Sequence, residues 1–382
     1  MNSGSAARAG AILEIDLGAI AANWRSLADR AAPAHCAAVV KADAYGLGAA
    51  PVARALAAAG CRLFFVATLD EGIALRRALG PAPEIAVLNG PFPGTEAEFI
   101  EHALIPVLNE PGQIDKWQEV RTASVPAAMA GETHAVRRRL MAMLHLDTGM
   151  ARLGLSRREF AGLIDDPPAI AWRAVISHLA CADTPEHPLN ERQHAVFAAA
   201  AARLPGVPAS LAASFGLFLG PQYRFDLVRP GAALYGVSPC PGGANPMRPV
   251  VRLAGRILQV RQIDRGESVG YGAAHRMAVP GRVATVALGY ADGWLRALGG
   301  RGCGHIGGRR VPLIGRVSMD LATFDVSAVP DEMARPGALV EVINGDCGVD
   351  QVAADAGTIG YEILTALGAR YHRIYRDGAA GG

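Results

Sequence analysis

Between Leu13 and about Tyr235, short apolar runs alternate with longer alanine-rich stretches. The runs Ala37–Lys41, Leu63–Thr68, Ile85–Leu88, Ile105–Leu108, Met143–Asp147, Ala174–Ser177, Leu211–Ser214 and Asp226–Arg229 read as strands. Gly48–Ala59, Leu69–Ala78, Gly94–His102 and Leu189–Arg203 read as helices between them. Strand-then-helix repetition implies a parallel sheet, and eight such units predict a closed (β/α)8 barrel. Functional side chains of that fold gather at the C-terminal ends of its strands. Lys41, Asp147, His178, Ser214 and Arg229 all fall at or just beyond such ends, so distant sequence positions converge.

The texture changes at Pro239–Pro249, a proline- and glycine-rich linker. Beyond it Gly255–Ile263, Arg282–Leu288, Arg310–Ile314, Ala322–Val326 and Leu339–Ile343 read as strands, with a short helix near Val349–Ala356. The expected layout of the 382 residues is a barrel over 12–240 and a mostly-β domain over 241–382. A net charge of +2 gives no electrostatic footprint for nucleic acid or an anionic membrane. The one notable basic run, Arg137–Arg139, reads as a solvated element end. Glu14 and Asp16 interrupt the apolar stretch Ala9–Ala22, which therefore does not read as a signal peptide, and no run reaches membrane-spanning length. Six scattered cysteines without a Cys-x-x-Cys pair read as free thiols in a reducing compartment, so the expected location is cytoplasmic.

The segment Ala38–Gly48 (AVVKADAYGLG) carries the first chemical signal. A lysine ending an apolar strand at a barrel mouth is partly desolvated, which lowers its pKa and makes it a Schiff-base nucleophile. The glycines after it let backbone N–H groups approach an anion. In isolation such a lysine reads as a strand-end residue that snorkels to water. Two other features carry less. His178, Cys181, Asp183 and His187 lack recognised zinc spacing, so no metal is expected. The glycine-rich stretch Gly299–Gly308 is not a strand–helix nucleotide loop and reads as a surface hairpin.

The company Lys41 keeps changes its meaning. Ser268–Gly272 (SVGYG) and Ala287–Trp294 (ALGYADGW) place tyrosines among glycines, and Leu146–Leu153 (LDTGMARL), Ser177–His178, Asp226–Gly236, Gly315–Asp320 (GRVSMD) and Gly360–Glu362 follow in order. Together with Ala38–Gly48 these motifs resemble those of the alanine racemase family along most of the chain. The resemblance implies a pyridoxal 5′-phosphate enzyme that interconverts L- and D-alanine by a two-base mechanism. Such an enzyme supplies D-alanine for peptidoglycan or catabolises it. Lys41 would carry the cofactor as a Schiff base and act as one base, and Tyr271 would act as the other from the opposite face. Tyr45, Ser214, the backbone of Gly231 and Ala232, and Tyr361 would cradle the phosphate. His178 would pack on the ring, Arg229 would face the pyridine nitrogen, and Arg152 would lie near the cofactor hydroxyl and the substrate carboxylate. Met319 would meet the substrate through its backbone N–H, and Tyr290 would line the substrate's approach. The resemblance further implies that a strand at about 12–17 belongs to the second domain, and that a homodimer delivers Tyr271 and Met319 in trans.

Two positions depart from the family pattern. Many members have a lysine, often carbamylated, two residues before the aspartate of the DTGM motif, where this chain has His145. Relatives often have asparagine where Ala213 precedes Ser214. Competing readings are a broad-specificity or serine racemase, a barrel-type amino-acid decarboxylase, and a non-catalytic carrier of the cofactor. A decarboxylase would need a carboxylate at the pyridine nitrogen where this chain offers Arg229, and a simple carrier has no use for Tyr271.

Overall fold

Runs of four buried apolar residues with no polar face suit only a strand covered on both sides. In the computed structural model, which describes residues 3–124 and 140–377, these runs are the staves of a parallel barrel. The Arg137–Arg139 run lies outside the described residues. Ala11–Asp16 (β1) comes first in the chain but pairs elsewhere. The staves are His35–Cys36 (β2) with Ala38–Val39 (β3), Leu63–Val66 (β4), Glu84–Val87 (β5), Ile105–Leu108 (β6), Ala142–His145 (β7), Trp172–Ile176 (β8), Ala209–Ser210 (β9) and Leu227–Val228 (β10). Strands β3 to β9 pair side by side in chain order. Leu227 and Val228 pair with His35 and Cys36, while the amides of Asp226 and Arg229 donate to Ala209 and Ala212 at 3.0 and 2.9 Å. These bonds close the ring. The seventh stave lies at Ala209–Ser210, just before the expected run Leu211–Ser214, which continues toward the barrel mouth.

Three of the barrel helices start where the sequence supplies a side-chain cap. Asp16 accepts the Ala19 amide at 2.7 Å and opens Leu17–Ala31. Thr68 and Glu71 form a reciprocal capping box on Leu69–Leu79, as Ser156 and Glu159 do on Arg157–Asp165.

The second sheet comprises β1 with Val251–Ile263 (β11), Gly281–Val286 (β14), Cys303–Ile306 (β15), Arg309–Ile314 (β16), Ala322–Asp325 (β17), Leu339–Ile343 (β18) and His372–Arg376 (β19); the short pair Ser268–Val269 (β12) and His275–Arg276 (β13) stands apart. Its order is β14-β17-β16-β15-β18-β11-β1-β19, and a further β14–β11 pairing closes six of these strands on themselves. Strand β1 runs antiparallel to β11 and parallel to β19. The expected surface hairpin at Gly299–Gly308 is corrected: Cys303–Ile306 is a fully buried strand between β16 and β18, and only the turn at Gly307–Gly308 matches that reading. Glycines at 302 and 304 obscured it, yet a Cβ at Gly304 would stand 2.5 Å from Val340, so packing demands the glycine.

One continuous core runs through both sheets. A separate small cluster of Val269, Met277, Val283 and Ile314 supports the arm that carries Tyr271. Helices Val349–Ala356 and Gly360–Ala366 return to the barrel, where a Cβ at Gly46 would meet the Leu364 carbonyl at 2.4 Å. Among the described residues no helix is long and apolar enough to cross a membrane.

Asn23 ties the first barrel helix to the chain that leaves the barrel. Its amide donates to the carbonyls of Leu234 and Arg248 at 3.2 and 3.0 Å and accepts the Arg248 amide at 2.8 Å. Asn23→Ala leaves one buried and two part-buried backbone groups without this partner and should cost about 2 kcal/mol in a urea unfolding series.

Candidate active site

The backbone turns left-handed immediately after Lys41. Ala42, Asp43, Ala44 and Tyr45 have φ of 52, 53, 54 and 55°, which L-residues rarely adopt in succession. Hydrogen bonds hold the turn from outside and within. The Ala42 amide donates to Glu71 Oε1 at 2.6 Å, and the Ala49 amide to Asp43 Oδ1 at 2.7 Å. Internally the amides of Ala44 and Gly46 reach the carbonyls of Val40 and Ala42 at 2.9 and 2.8 Å. Tyr45 is buried with its ring 4.8 Å from that of Tyr235 and 5.8 Å from that of Tyr361. Persisting backbone strain that neighbours over-determine is characteristic of functional sites.

Lys41 opens into a cavity of about 1180 Å³ at the C-terminal mouth of the barrel. Arg152, His178 and Arg229 line the same cavity, as do Tyr45, Ser214, Gly231, Ala232 and Tyr361. Nine of the residues singled out in the sequence are thus brought together. Burial, reinforced by the Arg152 charge, lowers the Lys41 pKa, and Glu71 opposes the shift. Burial pushes Arg229 down to about 10, which leaves it charged at neutral pH. Its guanidinium donates to Ser210 O at 2.9 Å, to Ser210 Oγ at 2.5 Å and to Ser177 O at 2.5 Å. Three of five donors are so engaged, which leaves the others for the cavity.

His178 is pushed down to about 3 and His145 to about 4, by burial first and by Arg229 and Arg152 next. Both rings are therefore neutral among cations. The carbonyl of His178 accepts from Gln193 Nε2 at 2.9 Å, and the same amide donates to Thr148 Oγ1 at 3.1 Å. The loop after β7 is shaped by Asp147, whose carboxylate accepts the amides of Gly149, Met150 and Ala151 and lies below the usual carboxylate range through those bonds, although burial opposes them.

At the other end of the cavity Ser214 Oγ accepts the amides of Gly231 and Ala233 at 3.0 and 3.1 Å. With both lone pairs engaged, the hydroxyl has only its proton to offer. A Cβ at Gly231 would sit 2.3 Å from the Tyr45 hydroxyl, so only glycine admits that ring. The Phe215 ring stacks on Tyr361 at 6.4 Å and 10°. Hydroxyls and backbone amides here form a cradle for an anion, although Asp183 and Asp350 also line the cavity.

Tyr271, Tyr290 and Met319 do not join this cavity. They are 73, 44 and 55% exposed on turns and loops of the second domain. Sequence reasoning missed Glu71 and Asn109, which touch the lysine turn and His145. The Thr-x-x-Glu capping box signalled Glu71, whereas nothing local signalled Asn109. Among the described residues no group of three or more His, Cys, Asp or Glu is arranged to hold a metal.

Residues 15–239 match the family described as alanine racemase, N-terminal domain, and residues 250–375 match alanine racemase, C-terminal domain. An alanine racemase of Rhodospirillum rubrum is 54% identical, covering 96% of each chain. A protein of Mesorhizobium japonicum named alanine racemase, catabolic, is 49% identical, covering 98% of this chain and 95% of its own. Among solved structures, the alanine racemase of Bartonella henselae with covalently bound pyridoxal phosphate is 40% identical with a TM-score of 0.89, over 96% of this chain and all of that one.

The two depressed histidines make stability pH-dependent. Unfolded histidine titrates near 6.5, well above the folded values of about 3 and 4. Below pH 6.5 the unfolded chain gains protons that the folded chain refuses, so the stabilisation present above that pH is lost progressively as pH falls toward 4. The urea midpoint should drop between pH 6.5 and 5, and His178→Gln should make the drop shallower.

Proposed function

The chain belongs to the alanine racemase family, and we propose that it inverts alanine with two bases, Lys41 of one copy and Tyr271 of another. The observation that carries this reading is the separation of the two groups. Lys41 lines the cavity, while Tyr271 stands 73% exposed on an arm outside it. Inversion requires a proton to leave one face of the α-carbon and another to arrive at the opposite face. A single chain offers a base on one side only, so a second copy completes the site, with Met319 presenting its backbone N–H and Tyr290 lining the approach.

The cavity's residues fit pyridoxal 5′-phosphate. Lys41 would bind it through its amine. The anion cradle would take the phosphate, with the Ser214 proton, the hydroxyls of Tyr45 and Tyr361, and the Ala232 amide as donors; the Gly231 amide is already engaged by Ser214. His178 would pack against the ring. Arg229, fixed by Ser210 and Ser177, would face the pyridine nitrogen. Bound there, the cofactor supplies an electron sink that acidifies the substrate α-proton.

The chain's own groups account for the rest. Desolvation favours a neutral amine on Lys41, the form able to take a proton. Arg229 keeps its proton at neutral pH and so donates a hydrogen bond without protonating the nitrogen it faces. That tempers the electron sink and disfavours side reactions. Arg152 would hold the substrate carboxylate. Neutral His178 can relay a hydrogen bond between Arg229 and an arriving phenol.

Because the equilibrium constant of racemisation is unity, Tyr271→Ala must lower kcat/KM equally in both directions. Exchange of the α-hydrogen with solvent should survive for the enantiomer served by Lys41, expected to be D-alanine. Equal loss of exchange from both enantiomers would refute the two-base assignment.

Inactive Lys41→Ala and Tyr271→Ala chains, mixed and allowed to exchange subunits, should together recover about a quarter of the sites, since half the dimers are hybrids with one intact site. No recovery despite subunit exchange would place both bases on one chain.

A further inference from the structure

His145 is a half-buried ring at the C-terminal end of β7, and its surroundings determine both its tautomer and its direction. Its Nδ1 lies 2.7 Å from Asn109 Oδ1. The orientation of that amide is fixed, because Asn109 Nδ2 donates to the carbonyls of Leu88 and Val107 at 3.0 and 2.9 Å. Asn109 is itself 5% exposed, and its own amide donates to Gln113 Oε1 at 2.7 Å. Its side-chain oxygen can only accept, so His145 Nδ1 must carry the proton. A neutral imidazole has one proton, which leaves Nε2 as a bare acceptor.

The ring is also held in place. A Cβ on Gly154, whose φ is +104°, would lie 3.1 Å from His145 Cδ2, so one ring edge rests on the loop that carries Arg152. The ends of that loop are stitched to the same strand, Leu155 N to His145 O at 2.8 Å and Asp147 N to Leu155 O at 2.9 Å. The charges that act on the ring are Arg229, Arg152 and Asp147. Asp147 spends its carboxylate on three amides, and Arg229 spends three donors on Ser177 and Ser210. Among the described residues no hydrogen bond or ion pair engages Arg152. One acceptor and one unengaged donor thus line the same cavity.

We propose that His145 is a positioning residue for Arg152: Asn109 fixes its proton on Nδ1, and the Nε2 lone pair orients the guanidinium that receives the substrate carboxylate. The hold comes from a neutral acceptor, so Arg152 keeps its full positive charge for the substrate. An anionic partner would share that charge. The inference rests on the racemase reading for the identity of the carboxylate, and its tautomer half stands independently.

Two measurements test it. The first is side-chain 15N NMR of the histidine-labelled chain without substrate. His145 should be neutral with its proton on Nδ1 between pH 8 and 5, and Asn109→Leu should release it to mixed tautomers. A proton on Nε2 or a charged ring in that range overturns the proposal, whatever the activity. The second is steady-state racemisation by the holoenzyme. His145→Phe keeps the ring shape but loses the acceptor, and should raise the KM for alanine about tenfold with kcat changed less than about twofold. His145→Gln retains one donor and one acceptor and should restore most of the KM. An unchanged KM in His145→Phe, or equal rises in both variants, overturns the positioning role. A parent enzyme that does not racemise alanine overturns the functional reading instead, and the NMR result separates that failure from this one.

Discussion

Four successive left-handed residues after Lys41 cost about 1–2 kcal/mol each, and much of the barrel mouth acts to hold them. Glu71 reaches them from the capping box of the next helix, binding the Ala42 amide with one oxygen while the other takes the amides of Ala67 and Thr68. The Leu364 carbonyl crowds Gly46 from the far end of the chain. Tyr45 is wedged between Tyr235 and Tyr361. Three separate elements therefore determine where one amine sits. The left-handed turn also swings Tyr45 back toward Gly231, which sets the distance between the amine and the anion cradle at the other end of the cavity.

The cavity's electrostatics follow from an imbalance of charge. Lys41, Arg152 and Arg229 line it against two carboxylates, Asp183 and Asp350, while Asp147 and Glu71, which shape its loops, are spent on backbone amides. An unpaired buried cation is costly, and for Arg229, the buried one of the three, the chain meets that cost with carbonyls, hydroxyls and neutral rings. Ser210 and Ser177 hold Arg229 without neutralising it, and His145 and His178 stay uncharged beside it. The net positive field is left for an anionic ligand to satisfy, as the phosphate cradle and the carboxylate of an amino acid would.

The barrel was legible because its signal is local: each stave is a short apolar run, and alanine-rich helical stretches such as Gly48–Ala59 and Leu69–Ala78 stand between them. The lysine end of the site was legible for the same reason, since barrel topology delivers strand ends to one mouth. What stayed hidden depends on long-range packing. Cys303–Ile306 was lost among glycines whose purpose, clearance for Val340 and neighbours, exists only in the folded sheet. Asn109 carries no motif, and its role emerges only when β6 and β7 lie side by side and bring its amide to His145. The left-handed turn was likewise invisible, because alanine, aspartate and tyrosine give no sign of positive φ.

Strand β1 sets the order in which the molecule can be finished. Its Ile12 pairs with Ala254 on one side and with His372 on the other. A ribosome releases the first of these residues hundreds of codons before the last. The barrel staves can assemble meanwhile, since their partners are neighbours in sequence, but β1 must wait with an unpaired backbone edge, a template for wrong partners. Only the final strand covers that edge. The same late segment delivers the helix that braces the lysine turn. A truncated chain therefore lacks the brace for Lys41 as well as the last strand, so loss of the C-terminal tail yields an unsealed sheet and a misplaced amine together.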